Sequence, residues 1–147
     1  MSSKMIIERI VNKESIAVCA PVLIDAYNNE PWNDRWDMVT AIALLNYSFD
    51  TPGFMGWMAS LNNKVVGACV GNIEPYYTGQ VFFLKQMFVS VGLQKSGIGR
   101  QILEIMKDDI AVIGVTTAIL FTGKAILDFY TKAGFIEMEG MRMMIYG

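Results

Sequence analysis

The fold is decided by the stretch Val89-Ser90-Val91-Gly92-Leu93-Gln94-Lys95-Ser96-Gly97-Ile98-Gly99-Arg100. The apolar residues before it predict a buried strand over 81–91, and apolar residues at helical spacing after it predict a helix over 96–110. Gly97 and Gly99 fall in the first turn of that helix, where each glycine costs about 1 kcal/mol relative to alanine. A ligand that approaches bare backbone N–H groups at the positive helix end would explain both. The sequence therefore predicts a strand–loop–helix unit that binds an anion.

Two nucleotide-binding patterns come close to this turn, and each lacks a residue that its mechanism needs. As a P-loop, the stretch has Ile98-Gly99 where lysine and serine or threonine are required. As Gly-x-Gly-x-x-Gly, it has Ile102 in place of the last glycine. The remaining pattern is Gln94-x-x-Gly97-x-Gly99, and on its own a short glycine-rich turn can also be purely structural.

A second stretch bears on the choice, and it reads Leu120-Phe121-Thr122-Gly123-Lys124-Ala125-Ile126-Leu127-Asp128-Phe129-Tyr130-Thr131-Lys132-Ala133-Gly134-Phe135. The β-rich segment over 115–121 predicts a strand, and a helix is expected over 125–133 with Gly134 as its stop. Taken alone, the aromatic pair in this helix would indicate packing on a helix face.

Together, the two stretches resemble the GNAT superfamily of acetyl-CoA-dependent N-acetyltransferases. Gln94-x-x-Gly97-x-Gly99 is similar to the family's (Gln/Arg)-x-x-Gly-x-(Gly/Ala) pyrophosphate loop, and the second stretch resembles its segment ending Ala-x-x-x-Phe-Tyr-x-x-x-Gly-Phe. The motifs come in the family's order, and the resemblance spans nearly the whole chain. It implies an α/β (α+β) fold, with a mixed, mostly antiparallel sheet flanked by helices, in one domain over 1–147.

The resemblance also implies roles for individual residues, with acetyl-CoA as the acetyl donor. Tyr130 stands where the family commonly places a tyrosine at the CoA sulfur as general acid. A backbone N–H in the segment Met87–Val89 is expected to donate to the developing oxyanion. The full set of expected cofactor contacts is Met87, Phe88, Val89, Gln94, Lys95, Ser96, Gly97, Ile98, Gly99, Arg100, Thr122, Ala125 and Phe129.

Two positions depart from the family pattern. Thr122 stands where many relatives carry asparagine, and Gln86 stands where similar relatives often show glutamate. Glutamine cannot act as a base, so the usual candidate for taking a proton from the amine is missing. Glu74 is the substitute candidate, acting through a water, although it can also be a simple strand-end charge. The departure at Gln86 keeps open a catalytically silent CoA-binding regulatory module.

The acceptor side is expected in the loop Asn29–Asp37, where two tryptophans and three acids surround a proline. Carboxylates and indole faces can hold a cationic amine, so the residues expected to bind substrate are Glu30, Trp32, Trp36, Tyr76 and Gln86. Alternatively, both indoles cap the core and the acids face water. A small-molecule amine is the first expectation, and a protein or peptide amine the second.

Composition limits the other function classes. The 147 residues carry a net charge of −2, which argues against nucleic-acid binding or membrane attachment by bulk electrostatics. The absence of histidine excludes Ser-His-Asp and Cys-His nucleophiles and imidazole metal sites, so no metal is expected. Cys19 and Cys69 are expected as buried free thiols, and the N-terminus has no signal-peptide pattern. We expect a cytoplasmic protein.

The remaining elements complete the order β-α-α-β-β-β-α-β-α-β. One helix is expected over 13–27 and another over 36–46, and Asn62-Asn63 predicts a tight hairpin between two strands. A last strand is expected over 141–146. Its run of methionines is interpreted as core or as a subunit interface, and the protein is expected to form a homodimer.

Overall fold

The computed structural model describes residues 4–147 of the chain. In chain order the strands and α-helices are β1 (Met5–Arg9), α1 (Lys13–Ala17), α2 (Ala20–Tyr27), α3 (Met38–Asp50), β2 (Phe54–Leu61), β3 (Lys64–Tyr76), β4 (Gly79–Val89), α4 (Ile98–Val112), β5 (Ala118–Ile119) and α5 (Leu127–Lys132). Short 3₁₀ turns lie at Val91–Leu93 and Lys124–Ile126.

The strands form one sheet in the order β1-β2-β3-β4-β5. The first four strands pair as antiparallel neighbours, and β5 runs parallel to β4. Asn62 and Asn63 turn the β2–β3 hairpin with φ angles of 51° and 67°, the left-handed region that asparagine tolerates. The predicted mixed, mostly antiparallel sheet with flanking helices is therefore confirmed.

A hydrophobic core lies on each face of the sheet. On one face, α4 buries Ile102, Leu103 and Met106 against a cluster that includes Trp57 and Phe82. The other face carries α1, α2 and α3, whose buried residues pack with Val70 and Phe88. Both cysteines are free and buried, as expected. The sheet is thus covered on both sides, and its exposed features lie at its ends and edges.

The N-terminal helices differ from the predicted bounds. The expected helix over 13–27 is divided between α1 and α2, and Pro21 lies at the start of the second helix, where its missing N–H is not needed. The helix expected over 36–46 begins at Met38 and runs to Asp50. Its start is set by a capping box, in which Asp37 accepts from Thr40 N–H and Thr40 Oγ1 accepts from Asp37 N–H.

The last expected strand is wrong. Residues 141–146 form no strand, and their apolar side chains are exposed, so the core interpretation of this run is also wrong. The physical reason is the shortness of β5, which has two residues and pairs only with β4. Without a long edge to pair with, an alternating apolar segment has no partner for its backbone groups.

The edge of β4 next to β5 positions the site. Register shifts between Val70 and Gly71, whose partners on β4 are Gln86 and Leu84, so Lys85 is the extra residue of a β-bulge. Strand β5 pairs only with Phe82 and Phe83. Beyond Phe83 the two strands separate, which leaves the outer edge of β4 open over its last residues.

Candidate active site

A cleft of about 250 Å³ opens where β4 and β5 separate. One wall is β4, another is the segment between β5 and α5, and the loop after α2 covers them. The residues that line it are Tyr27, Trp32, Asp34, Trp36, Leu84, Lys85, Gln86, Met87, Phe121, Thr122, Gly123, Ile126 and Tyr130. The structure thus brings together elements from three distant parts of the chain.

The backbone of Met87 faces this cleft. Its N–H donates to the hydroxyl of Tyr27 at 3.2 Å. The Tyr27 hydroxyl carries one proton, which it can donate to Gln86 Oε1 at 3.0 Å or to the Met87 carbonyl at 3.3 Å. Gln86 therefore has a defined partner in the cleft, and the amide N–H expected to serve as an oxyanion donor already points toward the open edge.

Tyr27 is held in place by aromatic neighbours. Its ring centroid lies 5.0 Å from that of Trp32, 6.4 Å from Trp36 and 5.7 Å from Phe88. Burial is the main cause that raises the pKa of Tyr27, and the hydrogen bond from the Met87 backbone opposes it. The hydroxyl is therefore neutral at ordinary pH and acts as a hydrogen-bonding group.

Tyr130 lies on α5 and is buried, as its expected role requires. The rings of Phe129 and Phe135 pack edge-on against it, at centroid distances of 4.9 Å and 5.7 Å. None of the residues described between 4 and 147 forms a hydrogen bond with its hydroxyl. Burial raises the pKa of Tyr130, with smaller contributions from Cys69 and Tyr27. The phenol thus holds its proton firmly, and a full transfer to a thiolate is more uphill than for a phenol in water.

The loop after α2 covers the cleft. Asn28 clamps it by accepting from Trp36 N–H at 2.7 Å and donating to Trp36 O at 2.9 Å. Trp36 Nε1 donates to the Asp34 carboxylate at 3.0 Å. Trp32 and Trp36 pack partly against the second core and also line the cleft. The two indoles therefore combine core packing with a position in the cleft lining, and their binding of substrate stays a prediction.

The loop before α4 has the geometry of an anion cradle. Gly97 is the N-cap of α4 with φ 92°, and no side chain caps the helix. Lys95 also has a positive φ of 68°, a conformation found in turns that gather backbone N–H groups around an anion. A Cβ on Gly97 would have no atom closer than Gln101 Nε2 at 4.0 Å, which leaves room for a group outside the backbone. Gln94 Nε2 donates to Val89 O at 3.2 Å and ties the loop to the end of β4. These features fit a pyrophosphate.

Gly99 has a different role from the one expected. It is buried, and a Cβ at this position would lie 3.0 Å from the ring of Phe129 and 3.3 Å from Met87 Cε. Close packing of α5 against the start of α4 thus explains the glycine at this position, whereas open space lies beside Gly97, and ligand binding at both glycines stays a prediction. Arg100 is paired with Glu104 at 3.1 Å, whereas Lys95 is exposed beside the loop.

The structure brings only part of the expected set to the cleft. Among the expected residues, those that line it are Trp32, Trp36, Gln86, Met87, Thr122 and Tyr130. Those near the α4 loop are Gln94, Lys95, Ser96, Gly97, Ile98, Gly99 and Arg100, and Val89 ends β4 beside them. Phe88 points into the second core, Phe129 packs on Gly99, and Ala125 is exposed in a 3₁₀ turn.

Three expected residues lie away from the cleft lining. Glu30 and Tyr76 are exposed, and Glu74 accepts from Asn72 Nδ2 at 3.0 Å. Glu74 stands four residues beyond Val70, the β3 partner of Gln86. A rise of ~3.3 Å per residue puts about 13 Å between Glu74 and the level of Gln86 along the sheet. One bridging water does not span that separation.

Sequence reasoning missed seven residues of the cleft, and those with a charged or aromatic side chain are Tyr27, Asp34, Lys85 and Phe121. Asp34 was within the loop singled out for its acids, but the acid chosen there was Glu30. Tyr27 ends a helix that shows only an apolar face in the sequence. Lys85 reaches the cleft because of the bulge in β4, which no local pattern indicates.

Between residues 4 and 147, no cluster of three or more His, Cys, Asp or Glu side chains is suited to a metal ion. In this part of the chain no helix combines the length and apolar character needed to cross a membrane.

Comparison with protein families gives one match. The family described as "Acetyltransferase (GNAT) domain" matches residues 52–137, which run from the start of β2 past the end of α5. The matched range includes β4, the α4 loop and the segment that carries Tyr130. No curated protein matches the sequence.

Solved structures share the fold at low identity. An aminoglycoside N-acetyltransferase, AAC(6')-Iy, in complex with CoA has a TM-score of 0.78 at 17% identity, over 100% of this chain and 96% of that one. A predicted acetyltransferase with acetyl-CoA from Clostridium acetobutylicum has a TM-score of 0.71 at 17% identity, over 97% and 96%. A transcriptional regulator from Bacillus halodurans C-125 has a TM-score of 0.75 at 18% identity, over 97% and 100%.

Proposed function

The chain belongs to the GNAT acetyltransferase family, and on that premise we propose that it is an N-acetyltransferase that moves an acetyl group from acetyl-CoA to the primary amine of a small molecule by direct attack. The observation that carries the proposal is the cleft itself. The Met87 amide lies on one wall and the Tyr130 phenol on another, both facing a space of about 250 Å³. An acyl transfer needs a donor for the carbonyl oxygen and a donor for the leaving group.

The geometry of the loop before α4 indicates which residues would hold acetyl-CoA. The uncapped N–H groups that follow Gly97 would bind the pyrophosphate, and Lys95 would add a positive charge beside it. The open edge of β4, from Met87 to Val89, would bind the arm that reaches into the cleft through backbone hydrogen bonds. Bound acetyl-CoA would supply the activated acetyl group and a thiolate as the leaving group.

Two hydrogen-bond donors of the chain would then act on the carbonyl oxygen and on the leaving sulfur. The Met87 N–H would exchange its bond to the Tyr27 hydroxyl for one to the carbonyl oxygen. The Tyr130 hydroxyl would donate a hydrogen bond to the departing sulfur. Because burial raises the pKa of Tyr130, we propose stabilisation by that hydrogen bond, with the proton passing on only as the thiolate leaves.

Asp34 is the best candidate for the amine side. It is the only carboxylate among the described residues that line the cleft. Trp36 Nε1 fixes its orientation. The carboxylate would hold the substrate ammonium and accept its proton through water before attack. Gln86 would position Tyr27 rather than take a proton.

One observation favours a second candidate, a catalytically silent CoA-binding module. The position expected to carry a glutamate base carries Gln86, and its amide oxygen is already used by Tyr27. A silent module would keep the α4 loop and lose turnover. Tyr130 speaks against it, because its hydroxyl opens onto the cleft with no partner among the described residues and is available to a bound ligand.

We also propose that the protein acts in the cytoplasm and forms a homodimer. The exposed apolar residues at the C-terminus support a subunit interface, and they are Met138, Met141, Met143, Met144, Ile145 and Tyr146. Light scattering coupled to size-exclusion chromatography tests the dimer. A monomeric mass at micromolar concentration contradicts it.

The activity is tested by incubating the protein with acetyl-CoA and a panel of primary amines, with product masses measured by mass spectrometry. Calorimetric titration with acetyl-CoA is carried out in parallel. Binding with turnover supports the enzyme, and binding without turnover of any amine supports the silent module. Absence of binding removes both.

A further inference from the structure

Aromatic side chains dominate the acceptor side of the cleft. Tyr27, Trp32 and Trp36 form a continuous group, with centroid distances of 5.0 Å and 6.4 Å from the first ring to the two indoles. Phe121 lines the cleft from the segment after β5, and its ring lies 5.7 Å from that of Phe83. Flat π-faces on two sides of a narrow space are suited to a flat apolar body or to a single cation.

Charge in the cleft is sparse. Among the described residues that line it, Asp34 is the one carboxylate and Lys85 is the one cation. The Lys85 ammonium lies 3.6 Å from the centroid of the Phe83 ring, which places its charge beside the cleft. A substrate with several ammonium groups would find one carboxylate to pair with and one cation that repels it.

The volume of the cleft also favours a small acceptor. Pockets for drug-sized ligands occupy roughly 300–1,000 Å³, and this cleft has about 250 Å³. Part of that space is needed for the acetyl group and the sulfur that carries it. What remains of this space suits a compact acceptor better than a multi-ring one.

From these three observations we infer that the acceptor is a compact primary amine with one positive charge and an aromatic ring on a short linker. The inference rests on the proposed N-acetyltransferase function. The ammonium group lies beside Asp34, and the ring lies among Tyr27, Trp32, Trp36 and Phe121. Polycationic amines such as aminoglycosides and polyamines are poor acceptors of this chain, although several solved structures of the same fold are described as aminoglycoside acetyltransferases.

The test compares acceptors that differ in one property. Initial rates with saturating acetyl-CoA are measured by mass spectrometry for 2-phenylethylamine, 2-cyclohexylethylamine, spermidine and kanamycin. We expect kcat/KM for the phenyl compound to exceed that of its cyclohexyl counterpart about 3- to 10-fold, the usual worth of aromatic contacts. Its advantage over the two polycations should be ~10-fold or more.

Matched variants show whether the cleft aromatics cause this preference. Phe121→Leu removes an exposed ring at little risk to folding, and Trp36→Leu removes a cleft indole. Both should bring the phenyl-to-cyclohexyl ratio close to one. Tyr47→Leu is the control, since Tyr47 is an exposed aromatic on α3 outside the cleft and its loss should leave the ratio unchanged.

The outcomes separate the two proposals. If spermidine or kanamycin is acetylated as well as 2-phenylethylamine, or if both cleft variants keep the parent ratio, the inference is overturned and the N-acetyltransferase stands. If acetyl-CoA binds by calorimetry and no amine is acetylated, the N-acetyltransferase proposal is overturned and the inference falls with it.

Discussion

Two buried tyrosines line the same cleft from different helices, and they differ in how their hydroxyl groups are used. Tyr27 exchanges hydrogen bonds with the Met87 backbone and with Gln86. The hydroxyl of Tyr130 has no such partner among the described residues, although its ring is packed on two sides. A buried hydroxyl with protein partners holds structure in place, whereas one that opens onto a cleft is available to water or to a bound ligand.

The largest expected effect comes from removing the available hydroxyl. Tyr130→Phe keeps the ring packing and deletes the group that would donate to the leaving sulfur, so turnover should fall ~10²–10⁴-fold. The melting temperature and the affinity for acetyl-CoA should change little. A fall of only two- or threefold would mean that water protonates the thiolate and that Tyr130 is a packing residue.

A smaller effect is expected from a variant that leaves both tyrosines untouched. Gly97→Asp puts a carboxylate at the uncapped start of α4, where the cradle is open. Repulsion of the pyrophosphate should weaken acetyl-CoA binding ~10-fold or more in a calorimetric titration.

Gly97→Asn is the matched control for Gly97→Asp, because it has the same shape and tolerates the same left-handed backbone without the charge. Equal affinity of the two variants would remove the loop from the cofactor site. Gly99 is unsuited to this test, since a side chain there collides with Phe129.

Loss of the Tyr27 hydroxyl should lower stability more, and turnover less, than loss of the Tyr130 hydroxyl. Tyr27→Phe leaves the Met87 amide and Gln86 without their partner, so the free energy of unfolding should fall by about 1–3 kcal/mol. Chemical denaturation measures this loss. Turnover should fall less than in Tyr130→Phe, because the Met87 N–H is left free to donate. If Tyr27→Phe is the more damaging variant for kcat at unchanged stability, the roles of the two tyrosines are reversed.

The smallest effect is on stability at alkaline pH, where the two tyrosines should behave alike. Burial raises the pKa of both phenols and raises the pKa of Cys19 to about 12. A folded-state pKa above the unfolded value means that the unfolded chain loses protons first as the pH rises. Stability is therefore fully present below about pH 9 and should decline above it, as the unfolded thiols and then the phenols ionise.

Thermal unfolding between pH 7 and pH 11 measures this decline. Tyr27→Phe and Tyr130→Phe should each reduce the slope above pH 10 by a similar amount. An unchanged slope in either variant would show that its phenol titrates normally in the folded protein.

Much of the candidate cofactor site could be predicted from local sequence. Gln94, Gly97 and Tyr130 lie in short motifs, and each stands on the predicted type of element. Local patterns suffice there because a strand–loop–helix turn is built from neighbouring residues. The exception is Gly99, whose small size is required by a residue on α5 thirty positions away in the chain.

The candidate acceptor site could be predicted only in part from the sequence. Composition singled out the loop around Trp32 and Trp36, but the sequence could not tell which of its acids turns inward. Asp34 does so because Trp36 Nε1 and the backbone of Tyr27 hold it there. Glu74 looked equally suitable in sequence and lies elsewhere, because its distance from the cleft depends on strand register.

Local sequence was enough to predict the family, the hairpin at Asn62-Asn63 and the glycine-bearing turn before α4, because each depends on residues close together in the chain. The mixed sheet was expected from the family resemblance, since its strands pair across long stretches of chain. Which side chains share the cleft depends on the tertiary structure. The bulge at Lys85 and the separation of β4 from β5 turn backbone groups and side chains toward one space, and both arise from pairing between distant segments. The C-terminal residues also show that a local pattern alone does not form a strand. Their alternating pattern suits a strand, but a strand forms only where an edge is available to pair with it.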